Sequence, residues 1–382
     1  MIYKISKSRR ADFLTLLLLL FCYQNFTVLS FETFGLKIYH LFSAFLMFPL
    51  YSYKEKIIIP PYPVSVFFLL VVVLSFVNAF WTGISFLLLN YIFAFYSAII
   101  TENLGDDFSY NEWTSIIKRV VIFHYITIII KDIFSIPIFI SFMKSPYGHP
   151  QINSFIGGGA NLEASYVAMF SIFFAGEKQF LFWQAFSISL SLLYASRTAL
   201  VLNVCIIIWY AFINFKKINI KYLFGYIIAL FMSLISAYHL GLTDYVISRF
   251  LRIGNEPGSI GRIKMWMYAL SLIIKRPIAG YGIGNSIRAL IEYTGISFSD
   301  KNFHNIYIQM FIDLGIIGGI FYLAIALYFL LYDFRNNFEN PIYFMIALYF
   351  VGSVFQFRGA DVIMYYFAAV YFQQKRLLKA RI

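Results

Sequence analysis

The chain of 382 residues is divided by apolar runs near 12–30, 34–52, 64–81, 83–100, 119–136, 161–176, 179–195, 197–214, 220–240, 304–331, 341–356 and 360–373. Most are roughly 16 to 22 residues long, about what an α-helix needs to cross the hydrocarbon of a bilayer. Inside lipid the backbone must satisfy its own hydrogen bonds, so runs of this length predict helices and not open sheets or loops. Composition agrees: 61% of residues are hydrophobic and 13% are charged, the latter about half the soluble average. The expected fold is an all-α polytopic membrane protein of about twelve transmembrane helices, a single domain over residues 1–382. Met1 to Arg10 carries signal-peptide-like charge, but no small-residue cleavage site follows Leu20, so the first run is expected to be a retained span. Cys22 and Cys205 fall inside apolar runs and are expected to pack in the core, not to form a disulfide framework.

Charge orients the bundle. With the N-terminus in the cytoplasm, seventeen of the thirty Lys/Arg lie on short cytoplasmic loops, as the positive-inside rule expects. They include Lys7, Arg10, Lys118, Lys216, Lys217 and the tail from Lys375 to Arg381. Of the thirteen on the outer side, eight stand in the long polar loop 241–303, against four Asp/Glu. Arg197 and Arg358 stand at the outer mouths of span pairs. A charge at helix-centre depth costs roughly 2.5–3.5 kcal/mol, so arginines at the hydrocarbon boundary persist where a ligand or partner compensates, or where they snorkel to headgroups. Several on one face suggest an anionic ligand, because the planar guanidinium matches phosphate oxygens two at a time. Nucleic acid is not an expected partner despite a pI near 9.4, since the positive charge is spread over two membrane faces.

The outer loop has its own pattern. Ser259, after Pro257 and Gly258, is a plausible N-cap for a helix whose apolar stripe is Ile263, Trp266, Met267, Leu270, Ile273 and Ile274. Lys264, Tyr268, Ser271 and Lys275 form the opposite stripe, so this amphipathic helix is suited to lie along the membrane surface. Pro277 ends it, Gly280, Gly282 and Gly284 read as a flexible turn, and a second short helix runs from about Ser286 to Tyr293. No strand precedes the glycines, which argues against a dinucleotide site. Asn302, Phe303, His304 and Asn305 then lead into the apolar run through Asp313, Gly315 and Gly319. A histidine at a membrane edge is an interfacial packing residue or, beside a cationic loop, a base.

Four fragments occur in an informative order: Ser196-Arg197-Thr198-Ala199; Gly261-Arg262 with Trp266; Arg276-Pro277 running into Gly280-Tyr281-Gly282-Ile283-Gly284; and His304-Asn305 leading to Leu314-Gly315-Ile316-Ile317-Gly318. Between about Ala195 and Gly319 the chain therefore resembles the O-antigen polymerase and O-antigen ligase superfamily; the rest is similar only in hydropathy. The resemblance implies a GT-C-like glycosyltransferase of the bacterial inner membrane, with a periplasmic loop over a lipid-diphosphate site. It also implies undecaprenyl-diphosphate-linked oligosaccharides as donors, with no metal or other cofactor. On that footing Arg197 and Arg262 match the family's arginines and would neutralise the departing diphosphate, and His304 would position or deprotonate the attacking hydroxyl.

Arg358, Arg249, Arg252 and Arg288 are supporting candidates from charge and placement, and Asn305 from its position beside His304. If His304 instead holds phosphate, the base is sought in Glu163 or Asp361. Glu163 reads first as a helix-start acid favoured by the macrodipole, and Asp361 as the salt-bridge partner of Arg358. Asp106 and Asp107, the adjacent acid pair, are expected in a solvated cytoplasmic loop. Tyr147, Tyr281 and Tyr293 can stack on sugars or simply pack. The expected function is polymerisation of lipid-linked repeat units of a surface polysaccharide. The alternatives are a ligase that passes the finished chain to lipid A core, a lipid-linked glycan flippase, and a non-catalytic partner of a chain-length regulator.

Overall fold

Eleven of the twelve apolar runs carry helix in the computed structural model, which describes residues 5–30, 35–53, 56–143, 154–157, 159–214, 228, 231, 235, 238–239, 257–298, 302–357, 359 and 361–379. The run at 220–240 falls almost wholly outside the described residues. The helices are α1 (Lys7–Cys22), α2 (Ile38–Tyr53), α3 (Tyr62–Thr82), α4 (Leu88–Leu104), α5 (Tyr110–Met143), α6 (Ala160–Phe170), α7 (Phe180–Leu193) and α8 (Arg197–Asn214). After these come α9 (Pro257–Lys275), α10 (Ser286–Thr294), α11 (Ile306–Leu327), α12 (Phe334–Asn337), α13 (Pro341–Gly352) and α14 (Val362–Lys379). Among the described residues four helical stretches are long and apolar enough to cross a bilayer: Tyr62–Thr82, Tyr110–Ser135, Arg197–Asn214 and Ile306–Tyr332. Four shorter apolar helices of 10–17 residues lie among them. The protein is a helical membrane protein.

One expectation is corrected at the start of the chain. The run 12–30 is not one helix: α1 stops at Cys22, and Thr27–Ser30 (β1) pairs antiparallel with Gly35–Lys37 (β2). The polar Gln24 and Asn25 interrupt the run, and Asn25 is tied through its backbone N–H to the Phe155 carbonyl (2.9 Å) and through its side-chain amide to the Ser154 carbonyl (2.8 Å).

Hydrogen bonds and ion pairs sort the helix ends into two layers. One layer holds the start of α1 and the end of α14. Arg10, 4% exposed, donates to Asp106 (3.0 Å), Asp107 (2.8 Å) and the Leu104 carbonyl (3.0 Å), while Lys7 pairs with Glu112 (2.8 Å). Asp106 and Asp107 are thus the counter-ions of a buried arginine, not a free solvated pair. From α14, Arg376 meets Glu102 (2.9 Å), Lys375 meets Asp333 (2.7 Å) and the Gln373 amide meets the Asp106 carbonyl (3.0 Å). The end of α8 joins this layer through the Trp209 indole, which donates to the Phe338 carbonyl (2.7 Å).

The opposite layer collects the other ends. Asn78, near the end of α3, donates to the Ala279 carbonyl (2.6 Å), and the Ile306 N–H that opens α11 donates to the Ser353 carbonyl after α13 (3.0 Å). On α5, Lys131 lies nineteen residues beyond Glu112, about 28 Å at 1.5 Å per residue, close to the thickness of a hydrocarbon core. Between the layers the packing is mostly aromatic and aliphatic, as in the stacked pair Phe68 and Phe95 (centroids 4.1 Å apart). A polar zipper joins α7 to α8: Gln184 (2.7 Å) and Ser187 (2.9 Å) both donate to the Asn203 side-chain oxygen, and the Asn203 amide donates to Ser191 (3.0 Å). Such interhelical hydrogen bonds act as glue where hydrophobic driving force between helices is weak.

Asp333 is 3% exposed and accepts from both Lys375 and Tyr371. Asp333→Ala is therefore expected to destabilise the protein by roughly 2–4 kcal/mol, the cost of stranding a partly buried charge. Arg288→Ala removes only an exposed i,i+4 pair with Glu292 (72% and 64% exposed) and should stay within about 0.5 kcal/mol. Thermal unfolding in detergent reads the contrast, and equal melting points for the two variants would contradict it.

Candidate functional site

The layer opposite the chain ends is organised by an interruption in α11. Gly315 has φ 66° and ψ −169°, so the helix breaks nearly halfway along and leaves backbone groups without intrahelical partners. At membrane depth such groups must be satisfied by protein. The segment Pro277–Asn285 does this: Tyr281 N–H donates to the Ile312 carbonyl (2.9 Å), Gly282 N–H to the Asp313 carbonyl (2.7 Å), and Ile316 N–H to the Pro277 carbonyl (2.6 Å). The approach is so close that a Cβ on Gly280 would lie 2.4 Å from the Ile312 oxygen, and one on Gly315 would lie 2.3 Å from the Ile278 oxygen.

The glycine turn is clamped on its other side by α3. Thr82 donates to the Tyr281 carbonyl (2.8 Å), and Asn285 reaches the Gly83 carbonyl (3.2 Å). Gly280, Gly282 and Gly284 all have φ between 68° and 81°, the left-handed region that glycine enters without a Cβ penalty. The expected flexible turn is therefore a fixed one, and the glycines are there for backbone geometry and close approach. Asp313, 1% exposed, accepts from Gln309 (3.3 Å) and faces the N–H groups of Gly284 and Ser286 at the start of α10. A carboxylate there complements the positive end of the helix.

His304 stands just before α11 with φ 53°, and its N–H donates to the Asn302 side chain (2.9 Å). Asn305 is the N-cap of α11, its side-chain oxygen accepting from Ile308 N–H (3.1 Å), so its visible role is to start the helix that follows His304. The indole of Trp266 donates to the Phe303 carbonyl (2.7 Å) and so fixes α9 beside His304. Arg262 lies one turn before Trp266 on the same face of α9. The expected amphipathic helix exists, but its stripes differ from the expected ones. Met265, Ala269 and Leu272 are buried against the protein, while Ile263, Met267, Leu270 and Ile274 are exposed. The periodic signal came from two apolar faces, one for protein and one left outward, which a single stripe cannot represent.

Arg197 is the first residue of α8, at the same end of the bundle. The turn before it contains Ala195 at φ 47° and is held by Ser196, whose hydroxyl donates to the Asn161 carbonyl (3.2 Å). Glu163, fully buried in the first turn of α6, does not stand open as a base. It accepts from Lys131 and Tyr194 through Oε2 and from the Phe155 N–H through Oε1 (2.8 Å). Lys131, Asp132 and Tyr194 did not emerge as site residues from the sequence, although two adjacent charges inside the run 119–136 were the available signal.

Asp361, 5% exposed, accepts from the Tyr349 hydroxyl (2.7 Å); its expected partner Arg358 lies outside the described residues, as do Arg249, Arg252 and Tyr147. Arg288 is on the surface, paired with Glu292 (2.9 Å). Tyr281 is 9% exposed beneath Arg276, whose guanidinium lies 4.9 Å from the ring centre. Burial raises the Tyr281 pKa, and the Arg276 charge offsets part of that rise. Tyr293 carries Lys275 over its face at 4.0 Å.

Residues 184–323 match the family described as O-antigen ligase. That stretch contains Arg197, Arg262, the glycine turn, His304 and the break at Gly315, and stops short of Asp361. Over that stretch, a little more than a third of its length, this chain is similar to the O-antigen ligase family. A protein of Rickettsia conorii (strain ATCC VR-613 / Malish 7) that bears the name of a polysaccharide ligase is 31% identical to it over 96 residues, 23% of this chain and 23% of that protein. The chain thus aligns with about a quarter of its relative's length. Within the matched segment, the turn and the break are two halves of one structure.

Gly280→Ala and Gly315→Ala are accordingly expected to dislodge the turn, lowering the melting point by several degrees and exposing the 276–285 segment to protease. Gly261→Ala, where a Cβ meets nothing within 4 Å, should be neutral or slightly stabilising, since alanine is favoured over glycine in a helix by about 1 kcal/mol. Intact protease protection in both clasp variants would refute this account of the turn.

Proposed function

We propose that this protein is a glycosyltransferase of the GT-C kind that polymerises lipid-linked repeat units of a surface polysaccharide. The observation that supports the reading is the bond from the Trp266 indole to the Phe303 carbonyl, which ties the helix carrying Arg262 to the residue before His304. In this reaction the bond between the anomeric carbon and the diphosphate oxygen breaks, and a new bond forms to an acceptor hydroxyl. Arg197 and Arg262 would neutralise the negative charge growing on the departing diphosphate, which suits a planar donor fork. His304 would take the hydroxyl proton, a task histidine performs near neutral pH. No step calls for a metal or other cofactor.

The supporting residues divide by what surrounds them. Arg249, Arg252, Arg288 and Arg358 would supply positive potential around the anionic donor. Asn305 would orient His304 through its cap, Glu163 would act through the residues it holds, and Asp361 would act through Tyr349. In this reading the chain is one transmembrane domain of about twelve spans with the loop 241–303 in the periplasm. The layer holding Lys7, Arg10, Lys375 and Arg376 faces the cytoplasm of a bacterial inner membrane. The donor and acceptor are undecaprenyl-diphosphate-linked oligosaccharides, membrane lipids surround the bundle, and a chain-length regulator is a natural partner. The description of the matched family and the name of the Rickettsia relative favour a second reading, a ligase that hands the finished chain to lipid A core.

A deletion strain separates the two: surface glycans of a single repeat unit indicate the polymerase, whereas long lipid-linked chains with bare core indicate the ligase. In either case Arg262→Ala and His304→Asn should lower transfer by roughly 100-fold or more, the usual cost of losing one preorganised charge-stabilising or proton-transferring group. Flipping of the precursor should continue. Wild-type transfer in both variants, or loss of flipping, would defeat the proposal.

A further inference from the structure

A second charged cluster lies in the same layer as His304, built from α5, α6 and the α7–α8 turn. Lys131 donates to Glu163 Oε2 and lies 3.7 Å from Asp132 Oδ1. Tyr194 donates to both Asp132 oxygens (2.7 and 2.9 Å) and reaches Glu163 Oε2 at 3.4 Å. The Lys131 ammonium also sits over the rings of Phe155 (5.0 Å) and Tyr194 (5.4 Å). Lys131 and Asp132 side chains are 12% exposed and Glu163 and Tyr194 are fully buried, so these charges are largely desolvated. One ammonium faces two carboxylates, and removing it would leave like charges together in a medium that tolerates neither.

The cluster grips Tyr194, the first of the three residues that precede Arg197. Tyr194 is its hydroxyl arm, Ala195 follows in the left-handed region at φ 47°, and Ser196 bonds the Asn161 carbonyl (3.2 Å) and, through its N–H, the Ser191 carbonyl (2.8 Å). A non-glycine residue in that region persists only where its surroundings over-determine it. Asn161 and Glu163 stand in one turn of α6, so the same short segment holds both sides of the strained turn. The turn then starts α8 with Arg197.

We infer that Lys131, Asp132 and Tyr194 are positioning residues that set the direction of Arg197 through the Tyr194–Ala195–Ser196 turn. The inference rests on the reading of Arg197 as a diphosphate ligand. Lys131 stands between Asp132 and Glu163 and bonds the latter. They in turn hold Tyr194, and the strained turn converts that grip into a fixed guanidinium.

The test measures binding of undecaprenyl diphosphate to the detergent-solubilised full chain in a double-mutant cycle. Tyr194→Phe keeps the ring and removes the hydroxyl, and is expected to weaken binding about tenfold, on the scale of one charge-assisted hydrogen bond. Added to Arg197→Ala it should change nothing further, because its effect passes through Arg197. Lys131→Met should match Tyr194→Phe, with Lys131→Arg within about twofold of wild type; if Lys131→Met does not fold, Asp132→Asn takes its place. Effects of Tyr194→Phe and Arg197→Ala that multiply independently, or no effect of Tyr194→Phe beside a strong one of Arg197→Ala, would overturn the inference alone. Unchanged binding in Arg197→Ala would instead overturn the reading beneath it.

Discussion

A backbone broken inside lipid has to be mended by protein, and the break at Gly315 is mended by the turn Pro277–Asn285. That exchange of three backbone hydrogen bonds fixes more than a helix kink. It holds α9 and α10 on α11, and α9 carries Trp266 to the Phe303 carbonyl beside His304. The turn is bonded to α3 through Asn78 and Thr82 as well, so the polar segment cannot shift without disturbing two long apolar helices. A mobile loop over a reactive site is the common arrangement in enzymes that close on substrate. Here the glycine-rich part is the anchored part, and any motion has to occur outside it.

The two polar layers solve different problems with the same residue types. In the first layer, Arg10, Lys375 and Arg376 are each matched to acids: Arg10 ties α1 to the α4–α5 connection, Arg376 ties α14 to the end of α4, and Lys375 ties α14 to Asp333 before α12. In the opposite layer the candidate residues of the matched segment stand by strained or anchored turns: Ala195 at φ 47° precedes Arg197, and His304 at φ 53° follows the Phe303 carbonyl that Trp266, one turn after Arg262, anchors. Backbone strain of this sort costs of order 1–3 kcal/mol per residue and survives where neighbours impose it. The first layer stabilises the bundle; the second spends stability on direction.

The fold was legible in the sequence wherever the physics is local. Runs of apolar residues of spanning length gave helices at nearly their observed limits, as at Arg197–Asn214, because a helix in lipid satisfies itself. The run 12–30 failed at Asn25, whose partners are Ser154 and Phe155, more than a hundred residues away. The stripe on α9 was misassigned for a similar reason: periodicity reports an apolar face but not which of two apolar faces meets the protein. Asp106 and Asp107 looked solvated because the arginine that pairs with them stands near residue 10.

The candidate site shows the same division. Arg197, Arg262 and His304 are candidates the sequence could nominate because their motifs are short and continuous in the chain. Lys131, Asp132 and Tyr194 were not, since their meaning arises only when α5, α6 and the α7–α8 turn meet. Two adjacent charges within an apolar run had already marked the position as costly. What could not be read was the creditor, a strained alanine two residues before an arginine. Desolvated ions of this kind are retained when they specify a geometry that an apolar core would leave loose, and the residue whose geometry is specified here is Arg197.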